Sequence, residues 1–270
     1  MKRLIVILGS LLFTLSAFAR TGVFPQESFD QLSYGLYWFG ANNQYQKASQ
    51  ATQYGGQYYD PSKPTLILIH GWQLGNMSSQ DRFVYWENDG GSPDIDFANI
   101  WIAQGYNVGM IYWDQFADEL DVRDAEAKIW TATSKHNMRW KDSDGDYHDG
   151  PSQNVTELLP TNYLTAMKEY TGHDLRLAGH SLGNQVALRL ADELATLADK
   201  GQIPEQIVPQ RVSLLDSFYS NYSKDYLGYR WVGEVARDIV SHSNPEALPS
   251  IPTGPQLSPP RLSLVMKIAN

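Results

Sequence analysis

A glycine-flanked serine lies between a predicted strand and a predicted helix. Residues 179–183 read Gly-His-Ser-Leu-Gly and follow a short apolar segment at 174–178. Leucine and valine then recur on one helical face over 182–197, and Gly201 marks the end of that helix. A strand that turns directly into a helix leaves no room for a Cβ at the two glycines and holds the serine in a strained conformation. The pattern therefore predicts a nucleophile elbow, with Ser181 at the carboxyl end of a sheet.

A continuous apolar run that ends in His-Gly-Trp is the second informative pattern. Residues 65–69 read Thr-Leu-Ile-Leu-Ile, which is typical of a strand buried on both faces of a parallel sheet. An oxyanion hole needs two backbone N–H donors, and we expect them from Leu182, directly after the serine, and from Trp72. Gly71 lets the backbone approach a substrate without a side chain in the way. We expect His70 to organise this loop and to take no part in proton transfer.

Together the two motifs resemble those of the α/β-hydrolase superfamily, and more narrowly its pancreatic-lipase-like branch. The resemblance covers roughly residues 64–216 and is most specific around Ser181. It implies a mostly parallel central sheet flanked by helices, ester substrates, and a Ser-Asp-His triad in that chain order. It does not imply a triglyceride lipase, because the same scaffold hosts many hydrolases.

The rest of the chain alternates predicted strands with predicted helices, which favours an α/β class. Further strands are expected at 106–113 and 211–216 and one or two within 20–60, and helices at 95–104, 116–133, 161–170 and 232–240. The 60 residues between Trp113 and Asp174 exceed one crossover helix. They are expected to add either a cap over the site or an elaborated surface loop.

Asp216 is the expected acid, because it ends the apolar run at 211–216. If that run is the next parallel strand, Asp216 stands beside Ser181 and can orient a histidine. The resemblance places the acid of the triad at the same point. An aspartate that merely caps the following turn is the alternative, and Asp114, at the end of the preceding predicted strand, is the next candidate.

The catalytic base is the least determined part of the predicted site. In the family order the histidine follows the acid, and His242 is the only histidine after Asp216. It is therefore assigned as the base by elimination. His242 directly follows the predicted helix at 232–240, whereas the family's histidine lies on a loop after a further strand.

The character of the chain changes near residue 241. Six of the fourteen prolines lie within 241–270, and neither a strand nor a helix period is visible there, so we expect an irregular Pro/Ser-rich tail. We hypothesise that the chain is truncated or frame-shifted relative to its relatives, with a sheet that is incomplete at its C-terminus and weak or no activity. In the competing hypothesis the tail wraps back and delivers His242 to Ser181. The predicted organisation is a signal peptide at 1–19, an α/β-hydrolase domain at 20–240 and the tail at 241–270.

The first nineteen residues have the pattern of a cleavable export signal. Lys2 and Arg3 precede an apolar stretch at 4–18, and residues 17–19 read Ala-Phe-Ala. The apolar stretch is short for a membrane span, and no stop-transfer pattern follows it. We therefore expect a secreted or periplasmic protein with no transmembrane anchor. A net charge of −9 argues against a nucleic-acid partner.

An acidic stretch within the long segment could bind a cation. Asp142, Asp144 and Asp146 have the alternate spacing of a calcium loop, but the glycine falls one place early relative to an EF-hand. Acidic turns without metal are common, and that alternative stays open.

These patterns predict an exported serine hydrolase that cleaves carboxylic esters of lipid or other acyl type, without a cofactor. In this hypothesis Ser181 attacks the carbonyl, His242 takes its proton and Asp216 orients that histidine. An amide or thioester hydrolase on the same fold is one alternative. The other is a non-catalytic α/β-hydrolase-like binding protein that lacks a working histidine.

Overall fold

The computed structural model describes residues 22–50, 57–86, 94–243 and 264–267. The predicted signal peptide at 1–19 and most of the predicted tail lie outside these ranges. Among the helices that the structure describes, none is long and apolar enough to cross a membrane.

The centre of the fold is a seven-stranded mixed sheet, with two-stranded pairs around it. The strands are β1 Gly35–Phe39, β2 Tyr45–Lys47, β3 Thr65–Ile69, β4 Tyr85–Trp86, β5 Ile95–Asp96, β6 Asn107–Tyr112, β7 Trp140–Lys141, β8 Tyr147–His148, β9 Leu175–His180, β10 Arg211–Leu215, β11 Ser223–Lys224, β12 Arg230–Trp231 and β13 Leu264–Lys267. The order in the large sheet is β13-β10-β9-β3-β6-β1-β2. The four central strands are parallel, and both edges are antiparallel.

Helices flank this sheet. They are α1 Asn76–Ser79, α2 Phe97–Ile102, α3 Asp114–Ala117, α4 Val122–Trp130, α5 Val155–Met167, α6 Gly183–Asp199 and α7 Val232–Ser243. Helices α4 to α7 pack against one another in sequence order, and α6 lies on β9 and β10. This is the predicted α/β class: a mostly parallel sheet with helices on its faces, and the strand-to-helix turn at its centre.

Alternate residues of the buried strands supply two apolar cores, one on each face of the sheet. In β1, Leu36 and Trp38 join the larger core beneath α4 to α7. Tyr37 and Phe39, from the same strand, join the smaller core with residues near α2. Because successive side chains of a strand point to opposite faces, a strand that is apolar throughout must be covered on both sides.

Helix boundaries differ from the predicted ones where a polar side chain caps the backbone. The helix expected at 116–133 is broken into α3 and α4, and Asp121 caps the second by accepting a hydrogen bond from the Arg123 N–H. The helix expected at 161–170 begins earlier, because Asn154 and Glu157 form a reciprocal capping box. Only part of the helix expected at 95–104 forms, since Ile95 and Asp96 pair with β4.

The region from residue 241 onwards is not irregular throughout, which corrects the expectation for the tail. Helix α7 continues through Ser243, and β13 pairs antiparallel with β10, so that Leu264 lies opposite Leu214. Strand β13 is only four residues long, which is too short to show a strand period within the Pro/Ser-rich sequence around it. The remaining tail residues lie outside the described ranges.

Candidate active site

Ser181 occupies the turn between β9 and α6, as predicted. Its φ is +53°, in the left-handed region that L-residues rarely adopt. Strand β9 ends at His180 and α6 begins at Gly183, so only two residues make the connection. A strained non-glycine residue in such a turn costs on the order of 1 kcal/mol. The serine is half-buried, so the turn presents it at the protein surface.

The two glycines of the motif are required by close approach of the backbone. A Cβ on Gly183 would lie 2.3 Å from the carbonyl oxygen of Ile69, on the neighbouring strand. A Cβ on Gly179 would lie 2.4 Å from the carbonyl oxygen of Gly183. Neither obstacle can move without distorting the sheet or the helix, because both are main-chain atoms. The sequence pattern therefore has a steric cause.

The loop after β3 lies directly against the elbow. A Cβ on Gly71 would lie 2.8 Å from the Cβ of Ser181 and 3.2 Å from the backbone nitrogen of Leu182. The Trp72 indole N–H donates to the carbonyl oxygen of Glu119 at 2.7 Å, which fixes the other end of the loop. Among the described residues, no acceptor is paired with the backbone N–H of Trp72 or Leu182. The two expected oxyanion donors are thus on neighbouring segments.

His70 organises this loop, as expected, and cannot act as a base. Its Nε2 accepts the backbone N–H of Trp113 at 3.0 Å, and its Nδ1 lies 2.9 Å from the carbonyl oxygen of Gly71. The first contact leaves Nε2 unprotonated, so Nδ1 carries the hydrogen and donates it. Burial lowers the pKa of His70 to about 3, and the ring is therefore neutral at ordinary pH.

A buried cluster of charged side chains fixes the turn at Glu119, whose carbonyl oxygen accepts the hydrogen bond from the Trp72 indole. The carboxylate of Glu119 accepts from Lys128 Nζ at 2.7 Å and from Arg139 Nε at 2.8 Å. Burial alone would raise the pKa of Glu119, but the hydrogen bonds and charges of Arg139 and Lys128 outweigh it and lower the pKa to about 2. Glu119 therefore remains ionised. The long segment between Trp113 and Asp174 thus buttresses the oxyanion loop, in addition to supplying the crossover helix α5.

Asp216 follows β10 and begins the loop beside the serine. The backbone N–H of Ser181 donates to the carbonyl oxygen of Leu215 at 3.0 Å, so Asp216 is the residue next to that contact. Its φ is +45°, and its side chain is exposed. Among the described residues, none donates a hydrogen bond to the Asp216 carboxylate. The acid is therefore adjacent to the elbow and open to solvent.

His242 is not brought to Ser181. It lies in the last turn of α7, exposed, and its charge acts on Asp192 of α6. Helix α6 starts at Gly183, beside the serine, so Asp192 lies about 14 Å further along its axis at 1.5 Å per residue. The competing hypothesis, in which the tail delivers His242 to Ser181, finds no support in the described residues, because α7 continues past His242 to Ser243.

The other histidines of the sequence do not replace it. His136 is paired with Asp124 at 3.3 Å, and His148 with Asp142 at 2.5 Å. His173 precedes β9 at the opposite end of the strand, and His180 is exposed beside the serine. Within the ranges that the structure covers, no hydrogen bond joins a histidine to Ser181 or to Asp216.

The acidic stretch at 142–146 is the turn of the β7–β8 hairpin. Oδ1 of Asp142 accepts the backbone N–H groups of Asp144 at 3.0 Å and Asp146 at 2.9 Å, so this carboxylate closes the turn itself. In the described part of the chain, no three acidic, histidine or cysteine side chains are grouped as metal ligands. The structure thus gives Asp142 a role in the hairpin, the alternative that the sequence left open.

Two amides that follow the elbow contribute to the site and were not predicted to do so. The buried Asn184 donates to the carbonyl oxygen of Leu215 at 2.9 Å and accepts the N–H of the same residue at 2.9 Å. Gln185 donates to the carbonyl oxygen of Phe218 at 2.8 Å. The first turn of α6 therefore holds the chain on both sides of Asp216. Their position directly after the glycine motif was the only available signal.

Comparison with known proteins gives two solved structures of low similarity. No protein-family profile matches the sequence, and no curated protein does. A thioesterase domain from the curacin biosynthetic pathway matches at 15% identity over 68% of this chain and 48% of its own, with a TM-score of 0.30. An inhibited esterase B from Lactobacillus rhamnosis matches at 13% identity over 80% of this chain and 59% of its own, with a TM-score of 0.27. This chain thus spans about half the length of those structures.

Proposed function

We propose that the protein is a serine hydrolase that cleaves carboxylic esters, with Ser181 as the nucleophile. The observation that carries the proposal is the left-handed backbone of Ser181, at φ +53° between β9 and α6. Strain of this kind at a half-buried serine is a feature of nucleophilic turns, and it contributes nothing to stability. The proposed substrates are lipid or other acyl esters, and no cofactor takes part.

In the proposed reaction the Ser181 hydroxyl attacks the carbonyl carbon while a base takes its proton. The oxyanion accepts hydrogen bonds from the N–H groups of Leu182 and Trp72, which lie on segments in contact with each other. The alcohol leaves with the proton, and water then hydrolyses the acyl-enzyme. Asp216 is the proposed acid that orients the base. His242 is the histidine that chain order favours, but in the described residues it lies in the last turn of α7 without a hydrogen bond to Ser181 or Asp216.

A second candidate function follows from that last observation. A protein with an intact elbow and no histidine at the serine would bind acyl ligands without hydrolysing them. Such a binding protein keeps the fold and the oxyanion donors but does not activate Ser181. In either case, we propose that residues 1–19 direct export to the periplasm or the medium.

Labelling with a fluorophosphonate distinguishes the two functions, because only an activated serine reacts at a useful rate. The proposal expects labelling of the wild type and of Ser223→Ala, which removes an exposed serine from β11, and none of Ser181→Ala. A series of p-nitrophenyl esters of graded chain length would then define the acyl group. A folded wild type that neither labels nor hydrolyses any ester supports the binding protein.

A further inference from the structure

A carboxylate without an assigned role lies beneath the proposed site. Glu126, on α4, is fully buried. Its Oε1 accepts the side-chain amide of Gln185 at 2.8 Å and the backbone N–H of Ser220 at 2.9 Å. The Ser220 hydroxyl donates to its Oε2. The Nζ of Lys224 lies 3.9 Å from Oε2.

The partners of Glu126 belong to the two segments that carry the proposed catalytic groups. Ser220 lies in the loop that Asp216 begins, and Gln185 lies in the first turn of α6, just after Ser181. Gln185 in turn donates to the carbonyl oxygen of Phe218, in the Asp216 loop, at 2.8 Å. The Glu126 carboxylate therefore connects the Asp216 loop with the first turn of α6 on the buried side of the site.

A contribution to the stability of the fold does not by itself explain why a carboxylate is buried at position 126. Removing a carboxylate from water costs free energy that its hydrogen bonds only partly return, and apolar replacements of buried charges are often neutral. What a multiply bonded carboxylate does provide is fixed geometry, because each donor must point at it. The donors here are a backbone N–H, a hydroxyl and an amide on two different segments.

We propose that Glu126 is a positioning residue that holds the Asp216 loop at a fixed place relative to Ser181. This inference rests on the proposed function, in which Ser181 and Asp216 act together. Displacement of a catalytic group by about 1 Å costs up to about 10²-fold in rate. Loss of Glu126 should therefore slow the reaction of Ser181 without changing the affinity for the ester.

The test compares Glu126→Ala with Glu126→Gln in the full chain. Glutamine keeps an oxygen for the Gln185 amide and the Ser220 N–H, and the Ser220 hydroxyl can accept from its amide. Glu126→Ala should slow fluorophosphonate labelling of the folded protein by about 10²-fold, with KM for a p-nitrophenyl ester unchanged, and Glu126→Gln should restore most of the rate. Asp174→Ala is the matched control, since it removes the carboxylate that accepts hydrogen bonds from Tyr106 and Arg176 at the opposite end of the parallel strands. It should leave labelling unchanged.

A double-mutant cycle separates positioning from general destabilisation. If Glu126 acts through Asp216, then Glu126→Ala should have little further effect on labelling in an Asp216→Asn background. Equal effects of Glu126→Ala in both backgrounds would overturn the proposal. So would a labelling rate of folded Glu126→Ala that matches the wild type.

Hydrogen exchange provides a readout that does not need activity. Glu126→Ala should expose the backbone amides at 218–220 to faster exchange, while the Ser181 amide, bonded to the Leu215 carbonyl oxygen, keeps its protection. A wild type that never labels would refute the proposed function and leave this measurement valid. Unchanged exchange at 218–220 in Glu126→Ala would then overturn the positioning role by itself.

Discussion

The proposed site lies at the carboxyl ends of neighbouring parallel strands, and its two halves, around Ser181 and around Asp216, are built differently. Around Ser181, main-chain atoms of β3, β9 and α6 approach so closely that a Cβ on Gly183 would lie 2.3 Å from a carbonyl oxygen. Around Asp216 the chain is open: Leu215 is 45% exposed and Tyr222 84% exposed. The nucleophile is thus held by the packing of the sheet itself. The acid lies on a loop that is held from its buried side. The histidine that would join Asp216 to Ser181 has to come from a later segment of the chain that returns to the site.

The largest effect should come from removing the nucleophile. Ser181→Ala should abolish fluorophosphonate labelling and lower ester turnover by at least about 10³-fold, because triad nucleophiles cannot be replaced by the remaining groups. The fold should persist, since the Ser181 hydroxyl makes no hydrogen bond to another described residue, and circular dichroism checks this. Ester turnover that survives in Ser181→Ala would show that the tightly packed half of the site is not where the chemistry occurs.

A steric substitution tests the comparison between the two halves directly. Gly183→Ala should cost about 3 kcal/mol of unfolding free energy, because the new Cβ meets backbone oxygens that cannot yield. Gly228→Ala, at the end of the short helical turn Asp225–Leu227, has no atom within 4 Å of the new Cβ. This variant should lose only about 1 kcal/mol of unfolding free energy, because alanine must adopt the left-handed backbone conformation there. Chemical denaturation of the two variants measures the difference, and equal losses would contradict the steric account of the elbow.

Free imidazole tests the open half. The Asp216 carboxylate is exposed beside the elbow and could hold an added imidazole by its N–H. We expect imidazole to raise the labelling rate of Ser181 by about tenfold, which is less than the roughly 10²–10⁴-fold of a positioned general base because free imidazole must first bind. N-methylimidazole, which has no N–H for Asp216, should be weaker, and Asp216→Asn should reduce the effect. Fast labelling that imidazole does not change would mean that the chain supplies its own base.

The smallest effect is expected from the histidine that chain order favours. His242→Ala should change labelling by less than about twofold and stability by less than about 0.5 kcal/mol, as is usual for an exposed position. Burial raises the pKa of Asp192 and His242 opposes that shift, so the pKa of Asp192 should rise further in the variant. Carboxyl titration by NMR measures this. A labelling rate that collapses in His242→Ala would instead make His242 the base.

The sequence predicted most of the elbow half because its determinants are local. The glycines at 179 and 183 and the apolar runs at 65–69 and 174–178 specify a strand, a turn and a helix without information from elsewhere. The strand at 211–215 was found for the same reason. Helix ends were less accurate, since a cap such as Asn154 needs only one side chain and leaves no period.

The supporting polar groups could not be predicted. Glu126 and Glu119 lie within the helix predicted at 116–133, whose pattern does not mark either residue as buried, yet both are fully buried. Their burial depends on partners far along the chain, such as Ser220 and Arg139, which no local pattern identifies. The same applies to His242, whose place depends on how far α7 continues, and to β13, whose pairing is set by the free edge of β10.

The left-handed backbone of Ser181 presents the proposed nucleophile but costs folding free energy, so reactivity and stability oppose each other at this residue. Glycine would occupy this φ without the Cβ penalty, so Ser181→Gly should gain about 1 kcal/mol of folding free energy while it removes the nucleophile. Selection for stability alone would therefore favour glycine at this position. Engineering this protein for heat resistance should leave the elbow alone and seek its gains in the open loops after Asp216, where substitutions compete with no packed backbone.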